Sequence, residues 1–209
     1  MKLTKYQHAC FTVEKDDQML VVDPGEFSSD FLPANNIVAI VLTHEHADHY
    51  DPEQLAAIMD KNPEAVIVGH PDVISKIEVF KTQSVNAGDK LTVGLFSLEF
   101  FGSTHALIHR SKPPVANLGV LVNELLYYPG DSFTLPGRTV DTLALPAGGP
   151  WMKVGEAMDF LEVVKPRLAF PTHDAVLSDI GKNMVDAWFA GFSKTLGTDY
   201  ERLDGPIEI

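Results

Sequence analysis

Between Thr43 and His49 the chain sets three imidazoles and a carboxylate side by side, as His44-x-His46-x-Asp48-His49. Neutral imidazole nitrogens and carboxylate oxygens are the donors that zinc, manganese and iron accept. A structural site rarely draws this many ligands from one segment, so the pattern points to a metal centre that does chemistry. Three more donors stand apart: His105 after Phe100-Phe101-Gly102-Ser103-Thr104, Asp131 in Gly130-Asp131-Ser132, and His173 after Ala169-Phe170-Pro171-Thr172. Singly, the two histidines read equally well as loop residues, and Asp131 as a turn former. Each nevertheless follows an apolar run, and strand ends are where open sheets present functional groups.

The elements that must position these residues can be read from apolar periodicity. Strands are expected over Lys2–Tyr6, Ala9–Glu14, Gln18–Val22 and Ile37–Leu42, the last leading directly into the histidine cluster. Asp51-Pro52 reads as an N-cap followed by proline at the first helical position, opening a helix to about Met59. Ala65–Val68 is a short strand and Pro71–Lys76 a helical turn. Lys90–Gly102 supplies one or two strands after the turn Asn86-Ala87-Gly88-Asp89, and a hairpin around Asn123-Glu124 joins Val115–Asn123 to Glu124–Tyr128. Thr142–Leu145 and Leu168–Pro171 are further strands, and Lys153–Val164 and Asp179–Leu196 are helices. On the last helix, Ile180, Met184, Ala187, Trp188 and Gly191 share a face that is expected to pack, with Trp188 against a sheet. The layout predicts an α/β (α+β) fold, two sheets flanked by helices.

Length and charge bound the function. At 209 residues the chain is expected to form one domain, 1–209. With 16 basic and 29 acidic residues its formal charge is −13, a sign that disfavours nucleic acid. A small anionic substrate remains compatible, because bound cations would dominate the local field. No apolar run approaches the roughly 18 residues of a membrane span. Met1–His8 lacks the apolar stretch of a secretory signal, and the single cysteine, Cys10, has no internal partner. Both fit the cytoplasm.

Taken in order, Asp23 after Leu20-Val21-Val22, the His44–His49 motif, His105, Asp131 and His173 resemble the metallo-β-lactamase superfamily of metal-dependent hydrolases. The likeness runs from residue 1 to about 175, and the second motif carries most of its specificity. It implies a four-layer αββα sandwich with a dinuclear site at one sheet edge. His44, His46 and His105 would hold one ion, Asp48, His49 and His173 the other, and Asp131 would bridge them. Geometry is compatible with that split, since alternate residues of an extended segment point the same way. Two divalent ions about 3.5–4 Å apart can share a hydroxide that attacks a small ester, lactone or phosphodiester. Asp48, His105 and Asp131 are then the candidate catalytic residues, and Zn2+ is the first choice of metal, with Mn2+ or Fe2+ also compatible. The stretch Gly102–His109 is similar to the small bacterial hydrolases of the ascorbate-6-phosphate lactonase-like group.

Other residues carry less weight. Asp23 reads as a carboxylate that orients a ligand loop, or as a turn residue before Pro24-Gly25. His109 is placed near the site or on the surface, and Trp151 as a cap over the pocket or a packing residue. His8 reads as an ordinary loop or strand histidine, His70 as structural, and Cys10 as a small buried residue. An iron-dependent oxidoreductase on the same fold and a non-catalytic metal-binding protein are the alternative functions.

Overall fold

The computed structural model describes residues 1–209. In chain order its elements are β1 (Lys2–Lys5), β2 (Phe11–Lys15), β3 (Gln18–Val22), β4 (Ile37–Leu42), α1 (Pro52–Lys61), β5 (Val66–Gly69), α2 (Pro71–Ile74) and β6 (Thr82–Ser84). There follow β7 (Lys90–Val93), β8 (Phe96–Phe101), β9 (Gly119–Val122), β10 (Leu126–Tyr128), β11 (Thr142–Pro146), α3 (Val154–Val164), β12 (Leu168–Thr172), α4 (Asp179–Leu196), β13 (Asp199–Tyr200) and β14 (Ile207–Glu208). The strands form two seven-stranded mixed sheets, ordered β14-β1-β2-β3-β4-β5-β6 and β13-β12-β11-β10-β9-β8-β7.

Alternation of side chains builds the layers. On β4, Ala39 and Val41 face the second sheet, in a core with Leu20, Val22, Phe96, Phe100, Val120, Tyr128 and Phe170. Ile40 and Leu42, on the opposite face, pack with Leu55, Ile58 and Met59 of α1 and Val73 of α2. The second sheet repeats the pattern, with Leu121, Tyr127, Leu143 and Leu145 turned towards Phe160 and Leu161 of α3 and Phe189 of α4. The result is the expected αββα sandwich. Strands buried on both faces must be apolar throughout, which is why β4 reads Ile-Val-Ala-Ile-Val-Leu with no polar position.

Local rules set the helix ends. Asp51 caps α1 by accepting from the Glu53 amide at 2.9 Å, with Pro52 at the first helical position. Ser178 caps α4, which stops at Gly197 in a left-handed conformation (φ 74°). Between β9 and β10, Asn123 and Glu124 both take positive φ, as a tight hairpin requires.

Two expectations need correction. The strands β6, β13 and β14 were not anticipated, being two or three residues long and polar or mixed in sequence. More substantially, the face of α4 bearing Ile180, Met184, Ala187, Trp188 and Gly191 points to solvent, and Trp188 is 60% exposed. The buried face carries Val185, Phe189 and Ser193 instead. Asp186 sets this rotation: it accepts from Tyr200 Oη and Arg202 Nε, both at 2.6 Å, while Phe189 meets the Tyr200 ring edge-on. Phe189→Ala should therefore cost about 3–5 kcal/mol in denaturant unfolding. Trp188→Ala should stay within about 0.5 kcal/mol.

Candidate metal centre

All seven expected donors meet at one edge of the sandwich, where the apolar layer between the sheets gives way to polar side chains. Asp23 follows β3 and the His44–His49 loop follows β4, adjacent parallel strands of the first sheet. His105 follows β8, Asp131 follows β10 and His173 follows β12 in the second. Two sets form, each with its donor atoms within 4.8 Å of one another: His44, His46, His105 and Asp131; and His8, Asp48, His49 and His173.

The members of each set approach through defined atoms. His44 Nε2 lies 3.0 Å from His46 Nδ1, as expected for alternate residues of an extended segment. Asp131 spans the two sets: Oδ2 is 3.2 Å from His105 Nε2 and 2.9 Å from His173 Nε2, and Oδ1 is 3.2 Å from His49 Nε2. His49 Nε2, His173 Nε2 and Asp131 Oδ1 are buried with no aligned hydrogen-bond partner. Buried polar atoms are nearly always satisfied, and three orphans converging on one point are what a missing cation would leave.

Surrounding groups aim the imidazoles. His49 Nδ1 donates to Asp23 Oδ2 at 2.7 Å, His173 Nδ1 to the Gly148 carbonyl at 2.7 Å, and His105 Nδ1 to the Ala106 carbonyl. In each ring the proton on Nδ1 leaves the Nε2 lone pair facing the centre, as metal-binding imidazoles require. Asp23 does this twice. It also accepts the Thr43 hydroxyl at 2.6 Å, and the same hydroxyl lies 3.1 Å from His44 Nδ1, whose proton it can accept.

Charge follows this arrangement. Burial opposes a charge on His49, yet the Asp131 and Asp23 carboxylates override it and hold its affinity for protons well above the usual range. His173 is likewise buried, but Asp131 raises it to about 9. For His44, burial and then the neighbouring His49 act together and push it well below the ordinary value. Burial would raise Asp131, but His49 and His173 outweigh it and keep the carboxyl ionised.

Two glycines let these loops approach. A Cβ on Gly25 would stand 2.0 Å from the Asp48 carbonyl oxygen, so only glycine lets the Asp23 turn rest on the ligand loop. Gly130 has φ +63°, and a Cβ there would stand 2.4 Å from Asn117 Oδ1. Asn117 is a residue that sequence reasoning missed. Its Oδ1 accepts the Asp131 amide at 3.0 Å and its Nδ2 donates to the Pro129 carbonyl at 2.9 Å, fixing the turn that presents Asp131. An asparagine before an apolar strand gives no signal of that role.

Of the weaker candidates, Trp151 is buried with its ring 5.9 Å from those of both His105 and His173, so it covers the centre. His109 is not brought in. It is exposed and bonds to Ser111, because the Leu107–Lys112 loop bulges into solvent. His70 caps α2, as a structural residue should. His8, read as an ordinary histidine, is fully buried with Nε2 2.9 Å from Asp48 Oδ2.

Residues 2–173 match the family described as "Beta-lactamase superfamily domain". The chain belongs to that family. Protein Rv0786c of Mycobacterium tuberculosis is 33% identical over 208 residues, covering 97% of this chain and 96% of the relative. A protein of Carboxydothermus hydrogenoformans named UPF0173 metal-dependent hydrolase is 27% identical, covering 87% of this chain and 90% of its own. The metallo-beta-lactamase fold protein YhfI of Bacillus subtilis superposes with a TM-score of 0.71 at 17% identity, covering 99% of this chain and 97% of that one. At that identity the likeness speaks for the fold alone.

Replacing Asp23 with asparagine keeps its shape but turns one of its two acceptor oxygens into an N–H donor, so it can no longer accept from both the Thr43 amide and His49 Nδ1. Affinity for divalent metal should fall about 10- to 100-fold, as measured by competition with a chromophoric chelator. Gly25→Ala, which moves the Asp48 carbonyl, should weaken metal binding and lower the melting temperature together.

Proposed function

We propose that the protein is a dinuclear metal-dependent hydrolase of small esters, lactones or phosphodiesters. The carrying observation is Asp131, whose two carboxylate oxygens reach into two separate histidine sets at once. His44, His46 and His105 would hold one ion and Asp48, His49 and His173 the other, with Asp131 shared between them. Imidazole and carboxylate donors accept Zn2+, our first choice, and also Mn2+ and Fe2+. A pair of such ions supplies Lewis-acid activation of water and of a carbonyl or phosphoryl oxygen near neutral pH.

The chain's own residues do the rest. Asp48, one-fifth exposed, is the carboxylate through which a proton can leave the centre. Trp151 shields one side, its ring 5.9 Å from those of His105 and His173. On the other side His46 and His105 floor a cleft of about 260 Å³ walled by Ala106, Ile108, Pro113, Pro114 and Val115. This wall is apolar, and its one charged residue is Lys112. No acidic residue occurs between Glu99 and Glu124, in a chain of net charge −13. A substrate with a short apolar group and a negative charge suits that cleft. The single cysteine, buried Cys10, fits a reducing compartment such as the cytoplasm. No helix is long and apolar enough to cross a membrane.

Elemental analysis of protein purified without added metal should find two zinc or manganese ions per chain. Predominant iron would reopen the redox alternative, which the turnover panel then decides. On a panel of p-nitrophenyl phosphodiesters, esters and lactones, His46→Ala and Asp131→Ala should each lose bound metal and turnover. Full activity with stoichiometric metal in either variant would sink the ligand assignment. Lys112→Ala should raise KM for carboxylate-bearing substrates several-fold, leaving neutral ones and metal content unchanged.

A further inference from the structure

His8 occupies the connection between β1 and β2, and nothing in the reaction outlined above requires it. It is fully buried and takes a left-handed backbone conformation, φ 60°, which a glycine would adopt with less strain. Two backbone amides from the segment after β12 close on it. The His173 amide donates to the His8 carbonyl at 3.0 Å, and the Ala175 amide donates to His8 Nδ1 at 3.2 Å. The ring lies 4.1 Å, centroid to centroid, from His173 and 5.2 Å from Phe27.

The Ala175 contact decides the tautomer. An amide N–H can only donate, so Nδ1 must offer its lone pair. A neutral imidazole then carries its one proton on Nε2, the atom 2.9 Å from Asp48 Oδ2. The hydrogen bond to Asp48 is thus donated by His8, and the Asp48 carboxylate is held in one rotamer. A rival assignment makes His8 a fourth ligand beside Asp48, His49 and His173, since these donor atoms cluster within 4.8 Å. Ligation would require the Nε2 lone pair and so a proton on Nδ1, set against the Ala175 N–H, donor against donor.

We infer that His8 is a positioning residue for the second ion: locked by the Ala175 amide as the Nε2–H tautomer, it orients Asp48 and does not itself ligate. The inference rests on the reading that Asp48, His49 and His173 hold that ion. It also explains why Asp48, the most exposed of the expected donors on the second ion, is not left to rotate. Its anchor comes from the turn between β1 and β2, which is in turn fastened to the ligand-bearing end of β12.

Two substitutions separate the roles. His8→Phe keeps the ring without nitrogens, and His8→Gln restores an N–H donor of similar reach. Zinc titration with a competing chelator reads the two affinities, and thermal melting of the metal-free proteins reads the fold. One of the two zinc affinities should drop about 10- to 100-fold in the phenylalanine variant and largely recover in the glutamine variant. The other affinity and the metal-free melting temperatures should differ little between the two variants. Unchanged zinc binding in His8→Phe overturns the inference, and so does a glutamine variant as weak as phenylalanine, which would signal ligation or ring shape. Long-range proton–nitrogen NMR of the metal-free protein gives an independent reading. It should show His8 protonated on Nε2 alone, and protonation on Nδ1 overturns the assignment. The ion count of the unmodified protein tests the dinuclear reading separately. Should that count fall short of two, the NMR result and the ratio between variants still decide the role of His8.

Discussion

The Asp23 carboxylate has no contact with water, and the remainder of the centre hangs from it. One oxygen accepts the Thr43 amide at 2.8 Å, and the other takes the Thr43 hydroxyl and His49 Nδ1. A buried carboxylate is tolerated only when its lone pairs are used, and breaking such a set leaves an uncompensated charge. The start of the His44–His49 loop and its last imidazole are therefore tied to a single anchor. The loop cannot shift without stranding that anchor. Rigidity comes from the polarity of the site combined with its dryness, since the same bonds in water would be exchanged freely.

The anchor works because the scaffold holds it at the edge of a closed apolar core. Between the sheets, Val22, Val41, Tyr128 and Phe170 fill the interior up to the last residues of their strands. Beyond those ends the chain turns polar within one or two positions: Asp23 after Val22, Thr43 after Leu42. Parallel pairing of β3 with β4 and of β11 with β12 puts successive strand ends on the same edge. A short loop from each end then suffices to gather donors from residues 23 to 173, and the chemistry needs no long excursion of the backbone.

Much of this was legible before any coordinates. The dense histidine segment follows a strand with no polar residue, and both features survive as written, because a buried parallel strand and a cluster of ligands each demand a particular composition. Asp23 was legible only as one of two things, a loop-orienting carboxylate or a turn residue, and its bonds to Thr43 and His49 favour the first. Asn117 and His8 were not legible, since a lone polar residue in a connection looks the same whether it faces solvent or pins an aspartate. Only the folded contacts distinguish the two: Asn117 with the Asp131 amide, and Ala175 with His8 across 167 residues. The burial of α4 was misjudged because two apolar stripes compete on that helix. Asp186, through Tyr200 and Arg202, chooses between them.

The two sheets share no strand-to-strand ladder; apolar packing holds their faces together, and such packing is indifferent to small sideways displacement. At the polar edge matters differ. Leu118 donates to the Thr43 carbonyl at 3.0 Å and His173 to that of His8 at 3.0 Å, each bond running from one sheet to the other. Sliding the sheets by a single residue, roughly 3.3 Å, would break both and carry Asp131 away from His49. The edge thus serves as a vernier for the sandwich: it turns a smooth, greasy contact into one alignment, and the spacing between the two donor sets inherits that alignment.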